Sequence, residues 1–440
     1  MSREEITEAD LQVSDLLVRN KKGFVPTKLN CRTILLNDPK LAGAICYNAM
    51  SCRIEIVKDM WWQRKSDALN DTDLAYIRCY FEKEYGITHE KNINDAITTV
   101  AHDNQFHPIK DYLNSLVWDG QERIRNALHH FLGADTSDLT YESLKLTMLG
   151  AVARVFEPGC KFETMLCLVG GQGVGKSTFF RFLAHNDQWF SDDLRNLSDE
   201  KVYQRLQGHW IIEMSEMTAT ASAKSIEDIK SFLGRLRDTY KQPYAVHPND
   251  YPRQCIFAGT SNKIQFLPPD RSGNRRFLPI QCNANEAEVH ILANPEESKQ
   301  YIDQMWAEIM EIYRSGEYSL TLTPAMMKDL EELQTNYVPE DSEEAAILGY
   351  LNDPEKPPVR VCARQIYYEV LGHSENDYPK SRELNAINEI IASQPDWVRG
   401  PHARFGDLVG IQRSWVRKTP TEEEEFHPLT EYEQQELPFC

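Results

Sequence analysis

A glycine-rich segment near the middle of the chain has the residue types that phosphate binding requires. Its residues are Gly170, Gly171, Gln172, Gly173, Val174, Gly175, Lys176, Ser177 and, as a helix begins, Thr178. Glycines allow backbone N–H groups to turn inward around phosphate oxygens, where a side chain would clash. Lys176 would reach the β- and γ-phosphates, and the Ser177 hydroxyl would complete the Mg²⁺ shell. The pattern G-x-x-x-x-G-K-[ST] therefore predicts a P-loop that binds ATP with Mg²⁺.

Short apolar runs predict the strands that position this loop. Continuous apolar runs are typical of strands buried on both faces of a parallel sheet, and here they cover residues 164–169, 210–216, 254–262 and 277–280. The glycine-rich segment follows the first run and precedes a helical stretch, so the amino terminus of that helix would face the anion. Strands that alternate with helices predict an α/β P-loop NTPase core, with a sheet covered on both faces.

Two carboxylates lie on the second apolar run, at Glu213 and Glu216. A carboxylate inside a buried strand is costly unless it is paired or binds a metal. The pattern indicates a Walker B element, in which one acid orients Mg²⁺ and a second polarises the attacking water. Either Glu213 serves the metal and Glu216 the water, or Ser215 and Glu216 replace the usual Asp-Glu pair while Glu213 faces elsewhere. The alternative is that both residues are solvated carboxylates at a strand end, with no such role.

Polar residues after the third run and before the fourth complete the predicted catalytic set. Asn262 would contact the γ-phosphate and the attacking water, although asparagine is also common in turns after strands. Arg275 and Arg276 follow a glycine turn and suit an arginine finger. Such a residue neutralises transition-state charge and often comes from a neighbouring subunit. The alternative is a pair of surface arginines in a loop.

A basic segment with interleaved tyrosines lies between the second and third runs, at residues 230–247. Its Lys and Arg residues would follow phosphates and its tyrosines would stack on bases, as in a hairpin that binds single-stranded nucleic acid. The candidate DNA-binding residues are Arg237, Lys241 and His247. A solvated loop is the alternative.

Composition limits the class of protein. The 440 residues carry a net charge of −19 and include 10 cysteines, which are scattered without a CxxC pair. This argues against a zinc ribbon and predicts a reduced, cytoplasmic protein. No run of about 18 apolar residues occurs, and the amino terminus is charged, so we expect neither a membrane span nor a signal peptide. Nucleic acid would bind such an acidic chain only where basic residues cluster.

We predict five segments along the chain. Residues 1–105 form a mostly helical domain of unknown role, and residues 106–285 form the P-loop core with a preceding helical collar. A helical connector at 286–341 leads to a winged-helix-like domain at 342–418 and an acidic, disordered tail at 419–440. Basic residues that could form a DNA-binding face on the winged-helix-like domain are Lys380, Arg382, Arg399, Arg404, Arg413, Arg417 and Lys418.

The order of these motifs resembles that of superfamily 3 helicases, and more specifically the virulence-associated protein E family of phages, prophages and pathogenicity islands. Besides the P-loop, the likeness rests on residues 107–113, 118–120, 150–155, 208–216 and 272–277. The resemblance implies an AAA+-like ATPase core and a homo-hexameric ring with active sites between subunits. It also implies single-stranded DNA in a central channel, facing Lys241 and His247, and a bacterial host cytoplasm.

The predicted function is therefore that of an ATP-dependent DNA helicase or translocase in the replication of a phage, prophage or other mobile element. Residues 1–105 show no convincing carboxylate constellation of a primase, so any primase would be a separate partner. Duplex origin DNA could bind through residues 342–418. The alternative is an origin-recognition or loader ATPase that binds DNA and remodels partners without unwinding, and a third hypothesis is a small-molecule kinase.

Overall fold

The structure is a computed structural model that describes residues 13–21, 23–194, 202–215, 223–241, 247–267, 274–338, 342–353 and 356–418. Contacts between residues divide the chain into two compact units, Met1–Val338 and Pro339–Cys440. The first unit thus combines segments that the sequence analysis predicted as separate, namely the N-terminal segment, the core and most of the connector. Within the described ranges, we find no helix with the length and apolar character needed to span a bilayer. The predicted acidic tail at 419–440 lies outside the described residues.

The amino-terminal part of the first unit combines helices with small sheets. Its elements are β1 (Arg19–Asn20), β2 (Gly23–Phe24), α1 (Lys28–Asn37), β3 (Ile45–Asn48), β4 (Arg53–Ile56), α2 (Asp71–Tyr85), α3 (Glu90–Asp103) and β5 (Gln105–Phe106). Strand β3 lies between β4, its antiparallel partner, and β5, its parallel partner. Helices are the longer elements here, as predicted, but the sequence did not predict the sheet. Its strands have two to four residues, and β4 and β5 lack a continuous apolar run.

Three helices, α4 (Pro108–Ser115), α5 (Ile124–Leu132) and α6 (Asp138–Phe156), lead into a central sheet. The next elements are β6 (Met165–Val169), α7 (Lys176–Leu183), β7 (Phe190–Ser191), α8 (Val202–Leu206), β8 (Ile211–Met214), α9 (Ala223–Leu233), β9 (Arg237–Tyr240), β10 (Asn249–Pro252), β11 (Ile256–Ser261) and β12 (Phe277–Gln281). The five strands of the sheet lie in the order β12-β6-β11-β8-β7, and every neighbouring pair is parallel. The mixed α/β class with a parallel sheet is therefore confirmed.

Both faces of this sheet are covered. Along β6, Leu166 and Leu168 belong to the same buried core as Phe179 of α7. The intervening Cys167 belongs to a second core on the opposite face, together with Phe232 of α9. Successive side chains of a strand point to opposite faces, so burial on both sides requires the continuous apolar run seen in the sequence.

Outside the sheet, β9 and β10 pair with each other as an antiparallel hairpin between α9 and β11. Two helices, α10 (Pro295–Ser315) and α11 (Pro324–Gln334), complete the first unit. Trp306 of α10 stacks on Trp210, with ring centroids 4.4 Å apart. Its indole N–H donates to the Leu183 carbonyl at 2.9 Å. Helix α10 thereby fixes the carboxyl end of α7, the helix that begins at the glycine-rich loop.

The second unit has a hydrophobic core of its own, which includes Ile366, Ile387, Trp397 and Trp415. Its elements are α12 (Ser342–Leu351), β13 (Arg360–Val361), α13 (Ala363–Gln365, continued by a π-helical turn at Ile366–Val370), α14 (Ser381–Ala392), β14 (Trp397–Arg404), α15 (Gly406–Val409) and β15 (Ile411–Arg417). The strands form an antiparallel sheet in the order β13-β15-β14. Apart from the short α15, the order of elements is the one that the sequence indicated for a winged-helix-like domain.

Candidate nucleotide-binding site

The glycine-rich loop connects the end of β6 to the start of α7. Gly173 and Gly175 have φ angles of +85° and +100°, values that side chains rarely tolerate. A Cβ atom on Gly170 would lie only 2.5 Å from the carbonyl oxygen of Cys282, so this close approach also requires glycine. Val174 differs from these neighbours because its side chain is buried in the hydrophobic core. The loop therefore presents its backbone, rather than side chains, to the adjoining space.

Lys176 directs its ammonium group back into this loop. Its Nζ donates to the carbonyl oxygens of Gly170 and Gly171, both at 2.7 Å, and to Oδ1 of Asn262 at 3.1 Å. The residue is only 7% exposed, and burial lowers the pKa of its amine, opposed by the nearby Cys282 and Glu213. All three donors of the ammonium are thus bonded to uncharged oxygens, which an anion would outcompete.

Glu213 is fully buried on β8 and faces the start of α7. Its Oε1 accepts hydrogen bonds from the hydroxyls of Ser177 at 2.7 Å, Thr260 at 2.5 Å and Ser215 at 3.2 Å. Its Oε2 is buried and has no hydrogen-bond partner among the described residues. An unsatisfied buried carboxylate oxygen is costly, and a cation or water removes that cost.

The assignment of metal and water roles to Glu213 and Glu216 stays a prediction. Glu213 itself points to the loop rather than elsewhere. Register explains this, because β11 lies between β6 and β8 and pairs with both. Ser261 on β11 is opposite Val169, the residue before the loop, and Ala258 is opposite Glu213. Asn262 follows β11 directly and meets Lys176 there. Glu216 lies outside the described residues.

A pocket of about 440 Å³ opens beside the loop. It is lined by Gln172, Gly173, Gly175, Lys176, Ser177, Thr178, Ser215, Thr260, Ser261, Asn262, His290 and Leu292. The sequence did not predict Thr260, Ser261, His290 or Leu292 as site residues. The hydroxyls of Thr260 and Ser261 could have been found, since they immediately precede Asn262 at the end of an apolar run. His290 and Leu292 follow β12 in a connection that carries no motif.

Arg275 and Arg276 are not brought to this pocket. Both pair with Glu163: Arg276 through Nε and a terminal nitrogen at 3.2 and 3.0 Å, and Arg275 at 3.7 Å. They immediately precede β12, whose first residue Phe277 is opposite Met165, the first residue of β6. The arginines therefore lie at the amino edge of the sheet, whereas the loop follows its carboxyl edge.

The candidate DNA-binding residues belong to the β9–β10 hairpin. Arg237 is on β9, while Lys241 and His247 flank residues 242–246, which lie outside the described residues. All three are exposed. The guanidinium of Arg237 lies 3.4 Å from the carboxylate of Asp250 on β10, which offsets part of its charge.

Comparison with known proteins places this site within a family. The sequence model of the virulence-associated protein E-like domain matches residues 113–339, more than half of the chain. The chain belongs to this family. The VapE-like range includes the glycine-rich loop, Glu213, Asn262, both arginines and all residues that line the pocket. No curated protein matches the sequence.

The VapE-like protein is also similar to solved structures of the C-terminal region of NrS-1. The A form of that region without ligand superimposes with a TM-score of 0.51 at 15% identity, covering 89% of this chain and 99% of that chain. A second apo structure gives a TM-score of 0.47 at 16% identity, covering 85% and 95%. At this identity, the first likeness shows a shared fold.

Proposed function

We propose that this VapE-like chain is a P-loop ATPase of the superfamily 3 type, which couples ATP hydrolysis to DNA translocation or unwinding. Its setting is the replication of a phage, prophage or mobile element in the cytoplasm of a bacterial host. The observation that carries the proposal is the convergence of Lys176, Ser177, Glu213 and Asn262 at the glycine-rich loop. These four residues lie on three different strand ends or helix starts, yet they form two hydrogen-bonded pairs beside the same loop, Lys176 with Asn262 and Ser177 with Glu213.

The residues present fit ATP and Mg²⁺. The loop offers a backbone cradle that side chains would fill, and Lys176 would exchange carbonyl oxygens for phosphate oxygens. Mg²⁺ usually binds through one or two carboxylates or hydroxyls together with phosphate oxygens. Ser177 and Glu213 would hold it, and the Oε2 of Glu213 is available because it has no partner among the described residues. When bound, the ion would neutralise phosphate charge.

The separation of the arginines from the pocket supports a site that two subunits share. An arginine at the amino edge of the sheet does not reach the loop of its own subunit, but a neighbour in a ring could supply it. Arg275, with its side chain 60% exposed, is the better candidate for this role. Arg276 is 18% exposed and bound twice by Glu163, so we assign it to positioning the segment. A homo-hexamer is the assembly that the family likeness suggests.

Single-stranded DNA is the proposed substrate of the ring, held by Lys241, His247 and Arg237 at the hairpin. The second candidate function is an origin-recognition or loader ATPase, and one observation favours it. The second unit has the element order of a winged helix, with exposed Lys380, Arg382 and Arg413, and duplex DNA is a ligand that clustered basic residues favour. A strand-displacement assay separates the two functions, because only a helicase would release the displaced strand. Any primase would be a separate protein.

ATP hydrolysis by two variants tests the proposal. Lys176→Ala should weaken ATP binding and lower kcat/KM by roughly 10²–10³-fold or more, since it removes a positioned charge from the phosphates. Glu213→Gln keeps the shape of the side chain without its charge, so ATP binding should persist while kcat falls. Lys328→Ala, which changes an exposed lysine of α11, is the matched control. Normal hydrolysis by both test variants would overturn the proposal.

A further inference from the structure

One end of the pocket is formed by a tightly held turn after β12. Ile291 is fully buried in the hydrophobic core, and its carbonyl accepts a hydrogen bond from the Ser298 hydroxyl at 2.8 Å. The two residues on either side of Ile291 line the pocket instead. Leu292 is 52% exposed, although it is a large apolar residue. Its exposure has an explanation if a ligand covers it.

The imidazole of His290 has a defined direction of hydrogen bonding. Its Nδ1 accepts from the backbone N–H of Leu292 at 3.2 Å. In the neutral ring, the proton is therefore on Nε2, which is a donor. A Cβ built on Gly175 would be 4.0 Å from this Nε2. The donor thus lies beside the last glycine of the loop.

The groups expected at the γ-phosphate cluster elsewhere in the pocket. Asn262 lies at the carboxyl ends of β8 and β11 together with two of the hydroxyls that bond to Glu213, those of Ser215 and Thr260, and Lys176 bonds to Asn262. His290 and Leu292 instead lie beside Gly175, before α7 begins. A triphosphate that extends along the loop would therefore direct the rest of the nucleotide toward His290 and Leu292.

We propose that His290 and Leu292 form the seat of the nucleobase, and that this seat accepts purine nucleotides without distinguishing ATP from GTP. The inference rests on the proposed function. Leu292 offers an apolar surface to one face of a base, and the Nε2–H donor suits a ring nitrogen that adenine and guanine share. Discrimination between the two purines requires a protein donor and a protein acceptor that face the edge of the base together. Neither His290 nor Leu292 offers such a pair.

Binding measurements with three ligands test the seat: ATP, GTP and inorganic tripolyphosphate, each with Mg²⁺. His290→Ala and Leu292→Ala should each raise the Kd of ATP and of GTP by about 2- to 10-fold, the range expected for one lost ring contact. Tripolyphosphate has no base, so its Kd should stay at the wild-type value in both variants. Val289→Ala, which changes the same turn outside the pocket lining, should leave all three values unchanged.

Several results would overturn the inference. One is an ATP affinity that is unchanged in both variants. Another is a loss of tripolyphosphate affinity as large as the loss of ATP affinity, which would assign the residues to the phosphate-binding loop. Wild-type protein supplies a measurement that needs no variant: a preference for ATP over GTP above about 100-fold would contradict a seat without edge recognition. Lys176→Ala distinguishes the two proposals. If Lys176→Ala binds all three ligands like the wild type, the proposed function itself fails. If Lys176→Ala loses binding while His290→Ala and Leu292→Ala do not, only the proposed seat of the nucleobase fails.

Discussion

At Glu213, three hydroxyl groups converge on one carboxylate oxygen and leave the other without a partner among the described residues. The sequence could indicate this residue, because a carboxylate in an apolar strand is costly without a compensating group. It could not decide the direction of the side chain, which depends on the register of β8 against β11. His290 could not be predicted at all, since only the folded chain shows which connection closes the pocket.

The two arginines differ in their surroundings although they are adjacent in sequence. Glu163 binds Arg276 closely and Arg275 loosely. The sequence gives no reason to prefer either, because Glu163 is more than a hundred residues away. The difference in exposure leads to a specific expectation about which arginine acts on a neighbouring subunit.

Arg275→Ala should lower the rate of ATP hydrolysis by at least about 10³-fold, as loss of an arginine finger does. Mixed in equal amounts with Lys176→Ala, it should recover about one quarter of the wild-type rate. Half of the subunits then keep Lys176, and half of their neighbours keep Arg275. Phosphate release from the mixture measures this recovery.

Each variant alone, at the same total concentration, is the matched control, because every site then lacks either Lys176 or Arg275 and no recovery is expected. A mixture of Arg275→Ala and Lys176→Ala that stays inactive would contradict a shared site. It would favour an arginine that acts within its own subunit or the small-molecule kinase.

Among the elements, the buried strands could be predicted more fully than the exposed ones. β6, β8 and β11 fall within the apolar runs and β12 extends one residue beyond its run, because each is covered on both faces. The edge strand β7 has two residues and one neighbour, so it leaves no such pattern. Helix α2 begins at a cap of the residue type that favours helix starts: Asn70 accepts from the backbone N–H groups of Thr72 and Asp73.

The hairpin of β9 and β10 is anchored firmly at its base. Arg253 forms two hydrogen bonds to Asp238, at 2.7 and 2.9 Å, and both residues are buried. A further bond joins Arg253 to the carbonyl of Phe232, in α9. The hairpin is thus connected to the helix that follows β8 and to the strand that leads to Asn262.

Replacement of both Lys241 and His247 by alanine tests the role of the hairpin. The exposed side chains lie away from the pocket, so hydrolysis without DNA should stay at the wild-type rate. Affinity for single-stranded DNA and its stimulation of hydrolysis should both fall, since each lost phosphate contact weakens binding. Fluorescence anisotropy with a labelled oligonucleotide measures the affinity.

Lys299→Ala, on the exposed side of α10, is the control for this experiment. Duplex binding by the double variant should persist if residues 342–418 supply that contact. Unchanged affinity for single-stranded DNA would remove the hairpin from the proposal and leave the ATP site unaffected.

For the whole molecule, the net charge of −19 requires that any DNA contact be local. The division into two compact units could be anticipated only in part. The change near residue 340 was visible in the sequence, but the union of residues 1–105 with the core was not. It depends on long-range contacts such as that of Gln254, which bonds both to His107 and to the carbonyl of Ala49. Nothing in the local sequence near any of these residues indicates the contact.

The most direct test of coupling between ATP and DNA is the rate of ATP hydrolysis by the full chain at low salt, with and without single-stranded DNA. We predict that single-stranded DNA raises the rate severalfold. The increase should decline as salt is added, because salt weakens phosphate contacts. Equal rates with no nucleic acid, single-stranded DNA and duplex DNA at low salt would contradict a DNA-driven ATPase.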